Sequence, residues 1–141
     1  MTKRYWIGLA EAAYVDTVKD QNVCLFSGGD KQAVEALSTG DRITYYSPND
    51  SHGGDRLDQF TALAEVTGDD CYQKDDWPDH PKFEAWVRDC AYEDVGAVPL
   101  SDVADRLDCA SSPDDFSTGQ IEISEKDFNT IAQAMRDACS D

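Results

Sequence analysis

The chain has two histidines, the side chains best suited to general acid–base catalysis near neutral pH. His52 lies in the segment NDSHGGD and His80 in WPDHP. Neither belongs to an HxH or HExxH arrangement, so their spacing does not predict a metal centre. Solvated imidazoles are the simpler interpretation. A small metal-dependent hydrolase that uses His52, His80 and nearby carboxylates stays open as an alternative.

Carboxylates are too numerous to mark a hydrolytic site by their proximity alone. The chain has 29 Asp and Glu, and adjacent pairs occur at 69–70, 75–76 and 114–115. In such a chain, neighbouring acids arise from the overall composition, and an acidic surface explains them better than a catalytic pair. The sequence therefore favours a protein that is not an enzyme and has no cofactor.

A glycine-containing segment and several aromatic residues suggest ligand binding instead. FSGGD, residues 26–30, contains neither GxGxxG nor GxxxxGK[ST], so it predicts a tight turn that a ligand can approach rather than a phosphate loop. Strand aromatics are usually core residues. Here, however, several lie beside polar or glycine-containing segments, in FSGG, YYSPND and CYQKDDW. Such rings, with nearby hydroxyls and amides, suit a flat heterocycle, because stacking on one ring contributes ~1–3 kcal/mol.

Hydrophobic periodicity predicts the elements that would position these residues. Strands are expected at 4–9, 23–29 and 42–48 and within 57–68 and 82–94, and a loop at 69–81. In the fourth strand, alternation places Phe60 on one face with Ala62, Ala64 and Val66. Short helices are expected at 10–20, 31–41 and 99–107, the last capped by Ser101. A longer helix follows the cap Ser124. This pattern predicts a single α+β domain, residues 1–141, built on a small β-barrel flanked by short helices.

Charge is the strongest feature of the composition. Twelve Lys and Arg against 29 Asp and Glu give a net charge of −17, and the acids are spread along the whole chain. Self-repulsion of this kind is relieved at molar salt, where the Debye length falls to ~3 Å. The composition therefore predicts a halophile protein with an acidic surface. Five cysteines without paired spacing and the absence of a signal-like segment predict reduced thiols in the cytoplasm, and no apolar run suits a membrane.

Several segments resemble the EVE domain family of the PUA-like group, in the order that this family has them. They are YWIG at the start, FSGGD, ALSTGDRITYYSP, QFTALAEVTGDDCYQ and ISEKDFNTIAQAM near the end. The resemblance implies a PUA-like barrel with a concave pocket for a nucleobase, a modified one flipped from DNA or RNA. It also implies a binding module without catalysis. The ligand-binding residues that it implies are Trp6, Ser27, Tyr46, Ser47 and Phe60, with Tyr72 and Trp77 as a lid.

The chain departs from the family pattern in its basic residues. Where many members of the family that it resembles carry a run of arginines, this chain has KFEAWVRD and clearly keeps Arg88 alone. The segment SSPDDFSTGQ also lacks a basic residue. Fewer cations mean less affinity from counterion release at phosphates. An accessory protein-interaction module with a decayed pocket is therefore a further alternative. The choice between DNA and RNA, the base itself and the oligomeric state stay open.

Overall fold

A computed structural model describes residues 4–26, 31–49, 55–74, 85–107 and 120–139. Its strands are β1 Tyr5–Leu9, β2 Val23–Cys24, β3 Arg42–Asn49, β4 Arg56–Lys74, β5 Ala85–Glu93, β6 Val98–Pro99 and β7 Gln120–Ile123. Its helices are α1 Ala12–Asp20, α2 Lys31–Glu35, α3 Leu100–Val103, which runs into a 3-10 turn at Ala104–Arg106, and α4 Glu125–Cys139. The predicted α+β class, a strand-built body flanked by short helices, is confirmed.

The strands form one sheet that curls on itself. Their order is β2-β5-β4-β3-β1-β7, and β6 pairs with β4. In a flat sheet, β2 and β1 would lie about 19 Å apart, since four strand spacings separate them. Phe26, two residues after β2, nevertheless contacts Gly8 of β1, where an added Cβ would come within 2.7 Å of its ring. The sheet is therefore curved into a small open barrel.

Each face of the curved sheet carries its own hydrophobic core. The inner core contains residues from β1 to β5 together with Val15 and Val18 of α1 and Val34 of α2. The outer core lies beneath α3 and α4 and includes Phe128 and Ile131. Because both faces of β3 and β4 are covered, successive residues of these strands enter different cores.

A bulge in β4 reverses the face of one predicted residue. Tyr45 of β3 pairs with Ala62, but Tyr46 pairs with Phe60, so Thr61 is an extra residue. An insertion of one residue moves every side chain beyond it to the other face. Phe60 therefore lies in the outer core, whereas Ala62 lies in the inner one. The prediction that these two residues share a face is wrong.

A second irregularity lets β4 continue where a loop was predicted. Val66 pairs with Cys90 and Cys71 with Arg88, so residues 67–70 of β4 stand opposite Asp89 alone. Beyond this wide bulge, β4 runs on to Lys74. The predicted loop over 69–81 is therefore wrong for residues 69–74, while 75–81 lie outside the described residues.

Helices α1 and α4 agree closely with the sequence, whereas α2 ends at Glu35 rather than at the predicted residue 41. Predictions for β1, α1, β3 and α4 are confirmed, and the Ser124 hydroxyl accepts the amide of Asp127 at 3.2 Å as the cap of α4. The predicted cap Ser101 is wrong, because α3 begins at Leu100 and is preceded by Pro99. The short strands β6 and β7 were not predicted. Among the helices of the described ranges, none is long and apolar enough to cross a membrane.

Candidate functional site

Trp6 is engaged at the amino ends of the parallel strands β1 and β3. Asp41, buried in front of β3, accepts the Trp6 indole N–H at 3.1 Å and the backbone amides of Arg4 and Ser38 at 3.0 Å each. Trp6 is 7% exposed and packs in the inner core. Trp6, which was predicted to bind ligand, therefore uses its only polar side-chain group, the indole N–H, to bind Asp41. This hydrogen bond joins β1 to the turn before β3.

Tyr46 and Phe60 lie in the outer core. Their rings meet edge to face with centroids 5.3 Å apart, and the Tyr46 hydroxyl donates to Asp58 at 2.8 Å. Neither side chain has exposed surface. The structure thus does not present these two predicted rings at a strand end, because the Thr61 bulge and the alternation of β3 direct both towards α4.

Ser47 lies on the opposite face of β3 from Tyr46. It follows Tyr45 by two residues, so the two share the inner face. Its hydroxyl lies 2.7 Å from that of Thr61, the bulged residue of β4. The bulge therefore places two hydroxyl groups side by side at the carboxyl end of β3. Such a pair can both donate and accept a hydrogen bond. Ser47 itself is fully buried and Thr61 is half-buried, so a ligand would reach the pair from the side of Thr61.

Phe26 is buried on the inner face, where it packs against Tyr45, two residues before Ser47. Its ring stacks on that of Tyr45 with centroids 6.0 Å apart and an interplanar angle of 26°. The Tyr45 hydroxyl donates to the carbonyl of Leu25 at 2.9 Å and accepts its amide at 3.1 Å. Burial raises the pKa of Tyr45 well above its usual value, so the hydroxyl keeps its proton. The chain is thereby fixed immediately before residue 27.

The carboxyl ends of β1 and β3 meet at this point, and α1 begins there. The amide of Ala10 donates to the carbonyl of Tyr46 at 3.2 Å, which continues the parallel pairing past β1. Helix α1 starts at Ala12, and the first amides of a helix lack intrahelical acceptors. In sheets with parallel strands, ligands commonly bind outside the carboxyl ends. We call this region the β1–β3 end and define it by Ala10, Tyr14, Phe26, Ser47 and Thr61.

Tyr14 is a member of the β1–β3 end that sequence reasoning missed. It lies in the first turn of α1 and packs, half-buried, against the inner core. Burial first, and the charge of Glu11 second, raise its pKa to about 12. Its hydroxyl is therefore neutral at physiological pH. The sequence signal that could have identified Tyr14 is an aromatic residue in the first turn of the helix that directly follows β1.

The model of the EVE domain matches residues 4–134. The chain belongs to the EVE domain family. The UPF0310 protein YdcG of Bacillus subtilis is 30% identical over 140 residues, covering 96% of this chain and 94% of that protein. A UPF0310 protein of Renibacterium salmoninarum is 26% identical over 135 residues, covering 93% of this chain and 94% of that one.

Solved structures with the same fold include two YTH domains. The YTH domain of the Zygosaccharomyces rouxii MRB1 protein, in complex with N6-methyladenosine RNA, aligns with a TM-score of 0.62 at 14% identity, over 95% of this chain and 85% of that one. The Pho92 YTH domain in complex with m6A aligns with a TM-score of 0.60 at 16% identity, over 95% of this chain and 86% of that one. At these identities the likeness shows the fold, and the EVE domain has the predicted PUA-like α+β architecture.

Arg88 of this EVE domain has a structural role. Its guanidinium donates to four backbone carbonyls, those of Gly68 and Asp69 in the wide bulge at 2.8 Å each and of Leu37 and Val34 around α2 at 2.7 and 3.3 Å. Arg88 is 6% exposed. The one arginine that the chain keeps from the basic run of the family pattern is thus directed inwards, where it joins α2 to β4.

The remaining predicted residues divide between one exposed side chain and segments outside the described ranges. Tyr72 is 41% exposed, and its hydroxyl donates to Asp89 at 2.6 Å on the arm of β4 beyond the wide bulge. Ser27 and Trp77 lie outside the described residues, as do His52 and His80. Within the described ranges, no three His, Cys, Asp or Glu side chains come together as a metal site.

A charged cavity of about 320 Å³ lies between α4 and the outer face of β3, β4 and β5. Arg136 binds Glu93 through two hydrogen bonds of 2.6 and 3.0 Å, and Arg42 lies 3.3 Å from Glu65. The hydrogen bond from Arg136 lowers the pKa of Glu93. Each cation here has a carboxylate partner, so the cavity offers an anion little net attraction and serves to attach α4 to the sheet.

Proposed function

We propose that this EVE domain is a non-catalytic binding module that recognises a modified nucleobase in RNA or DNA. The observation that carries the proposal is the pair of hydroxyls of Ser47 and Thr61, which lie 2.7 Å apart at the β1–β3 end, where α1 also begins. Hydroxyls and helix amides can read the edge of a base, and a ring can support its face. Membership of the EVE family and a fold shared with domains solved with N6-methyladenosine support the same reading.

Charge determines how such a module would bind. Non-specific affinity for nucleic acid comes from the release of counterions at phosphates and falls steeply with salt. A chain of net charge −17 whose Arg88 is buried gains little from this source. Recognition would therefore depend on stacking and on hydrogen bonds to the base edge. Both interactions persist in molar salt, which fits our further proposal of a cytoplasmic protein of a salt-adapted organism.

The chemistry of the β1–β3 end favours binding over catalysis. A serine nucleophile requires an adjacent base. The partner of the Ser47 hydroxyl is another hydroxyl, that of Thr61. A hydrolase based on His52 and His80 would need a bound metal, and measurement of the metal content of the purified protein by mass spectrometry tests it. Stoichiometric zinc or iron would favour the hydrolase over the base reader.

A decayed, accessory module is the second candidate, because specific observations favour it. Trp6, Tyr46 and Phe60 are committed to packing, and Arg88 is committed to backbone carbonyls. In that case the protein would bind no nucleoside, and its interactions would be with other proteins. The following titration separates the two candidates.

The proposal is tested by calorimetric titration of the four ribonucleosides and their N-methylated and C-methylated forms in 2 M KCl. We expect one modified nucleoside to bind more tightly than its parent. Ser47→Ala and Thr61→Val should each weaken that binding by about tenfold, since a hydrogen bond contributes about 1–1.5 kcal/mol. Thr130→Ala, an exposed hydroxyl on α4, is the matched control and should change nothing. Absence of binding by every nucleoside at millimolar concentration would refute the base reader and support the decayed module.

A further inference from the structure

The side chain of Lys31 covers an indole face at the start of β5. Its ammonium lies 4.7 Å from the ring centroid of Trp86, a cation–π contact, within a shallow polar cavity of about 600 Å³. Glu35, Asp69 and Asp70 also line this cavity. Trp86 is half-buried and packs against the inner core, so its position is fixed while one face stays accessible to a mobile side chain.

Trp86 lies at the same end of the β2–β5 pair as Phe26. The two strands are antiparallel, and Cys24 pairs with Arg88. Phe26 follows Cys24 by two residues, and Trp86 precedes Arg88 by two residues. Because the strands are antiparallel, both residues lie beyond the Cys24–Arg88 pair in the same direction. Lys31 follows Phe26 by five residues, which limits the distance between their α-carbons to about 17 Å. The covered indole therefore lies at the same end of this strand pair as Phe26, a member of the β1–β3 end.

Lys31 is held on the ring by weak interactions. Its second partner is Glu35, with the charged atoms 3.6 Å apart and the two side chains 52% and 49% exposed. Exposed ion pairs of this kind contribute little, and both groups are hydrated when they separate. The ammonium can therefore leave the indole at small cost. An indole face also offers a base a stacking surface, and such stacking contributes ~1–3 kcal/mol per base.

We propose that Trp86 stacks the nucleotide adjacent to the base read at the β1–β3 end, and that Lys31 covers the indole until nucleic acid binds. This inference rests on the proposed function. When a strand lies across the domain, the flanking base replaces the ammonium on the ring. Lys31, released from Trp86, then faces the phosphate that joins the two nucleotides.

The carboxylates beside Trp86 give this subsite an unusual salt dependence. Asp69 and Asp70 are exposed, line the same cavity and repel a phosphate in dilute salt. Screening at molar salt removes that repulsion, because the Debye length falls to ~3 Å. Most proteins lose affinity for nucleic acid as salt is added. Here the extra affinity from the flanking nucleotide should persist or increase between 0.2 and 2 M KCl.

The test compares each nucleoside of the panel with the matching trinucleotide that has a uridine on either side, by calorimetry in 0.2 and 2 M KCl. In the wild-type protein we expect the trinucleotide to bind about tenfold more tightly than the nucleoside. Trp86→Leu should remove this gain and leave nucleoside affinity unchanged, whereas Trp86→Phe, which keeps a ring, should retain part of it. Circular dichroism confirms that each variant is folded.

Lys31 is tested by its own pair of variants. In 2 M KCl, where a phosphate contact is screened, Lys31→Ala should bind the trinucleotide more tightly than wild type, because the indole is already uncovered. Lys126→Ala, an exposed lysine on α4, is the matched control and should have no effect. Weaker binding by Lys31→Ala in 2 M KCl would overturn the role of Lys31 as a cover.

The outcomes separate this inference from the proposed function. Equal affinity for nucleoside and trinucleotide, or a gain that survives in Trp86→Leu, overturns the stacking role of Trp86 and leaves the base reader standing. A gain that falls steeply with salt would also overturn it, because the added contact would then be to phosphate. If neither nucleoside nor trinucleotide binds, the proposed function itself is refuted.

Discussion

Removal of the Arg88 guanidinium should destabilise this EVE domain more than any surface charge change. A hydrogen bond to a charged group contributes ~1.5–3 kcal/mol, but burying the cation costs several kcal/mol, so the four bonds do not add up. In Arg88→Met, the carbonyls of Gly68 and Asp69 lie near the surface and regain water. Those of Val34 and Leu37, in buried residues, do not. The Leu37 carbonyl is then left without a donor among the described residues, whereas that of Val34 still accepts the Leu37 amide at 3.3 Å. One orphaned buried carbonyl at ~1–3 kcal/mol gives a loss of about 2 kcal/mol.

The assay is urea unfolding in 2 M KCl, followed by circular dichroism. Arg42→Met is the matched control, because Arg42 is an arginine of the same sheet that contacts Glu65 with side chains 34% and 45% exposed. The free energy of unfolding of Arg42→Met should fall by less than about 1 kcal/mol. Arg88→Lys should fall between the two, since an ammonium cannot reach all four carbonyls. A loss below about 1 kcal/mol for Arg88→Met would refute the account of Arg88 as the tie between α2 and β4.

Four further outcomes are expected. Gly8→Ala should lose about 1–3 kcal/mol in the same urea assay, because the new methyl would overlap the Phe26 ring; unchanged stability would contradict the curled sheet. Trp6→Phe removes the hydrogen bond to Asp41 and should lower the free energy of unfolding by about 1.5–3 kcal/mol, and a smaller loss would argue that the indole is available to a ligand. Glu93→Gln should be less stable than wild type at pH 7, and this difference should be lost as the pH falls below 4.5 and through the folded pKa of Glu93: the hydrogen bond from Arg136 lowers that pKa, so the carboxylate stabilises the folded state above its ordinary value of 4.5 and no longer does so once it is protonated. The melting temperature should rise by about 5–10 °C between 0.1 and 2 M KCl, and a flat response would exclude salt adaptation.

Local patterns predicted most of the larger elements correctly. Burial of one side of an element gives its sequence a regular apolar spacing. This spacing is visible in β3, with Ile43 and Tyr45, and in α4, with Phe128, Ile131 and Met135. β7 could not be predicted in this way. Its four residues gain their stability from pairing with β1, a contact made across more than a hundred residues.

The bulges explain the largest errors. Nothing in TALAEV marks Thr61 as an extra residue, because a bulge is selected by the pairing of two strands rather than by local composition. Likewise, the wide bulge at 67–70 depends on Arg88, about twenty residues away, whose side chain supplies the hydrogen bonds that the ladder lacks there. The sequence therefore predicted the central parts of the longer strands, but not the faces that their residues would occupy beyond a bulge.

The candidate site was predicted only in part for the same reason. Ser47 lies near the end of β3, as the sequence predicted, but its role as a ligand contact stays a prediction, and Thr61 becomes its partner only through the bulge. Tyr46 and Phe60 were chosen as rings near polar segments, and sequence alone could not show that both turn towards α4. Their role as ligand contacts stays a prediction, and their packing does not support it.

The distribution of rings between the two faces suggests where a base would find its stacking partner. β3 and β4 are covered on both sides, so an aromatic residue in the middle of either strand is taken up by a core. A ring at the margin of the inner core is different. Trp86, near the start of β5, is half-buried and has Lys31 over one face, whereas Phe26 is itself buried at 1% exposure. If this EVE domain reads a base, we expect the stacking to come from such a marginal ring, while the strands supply hydroxyls.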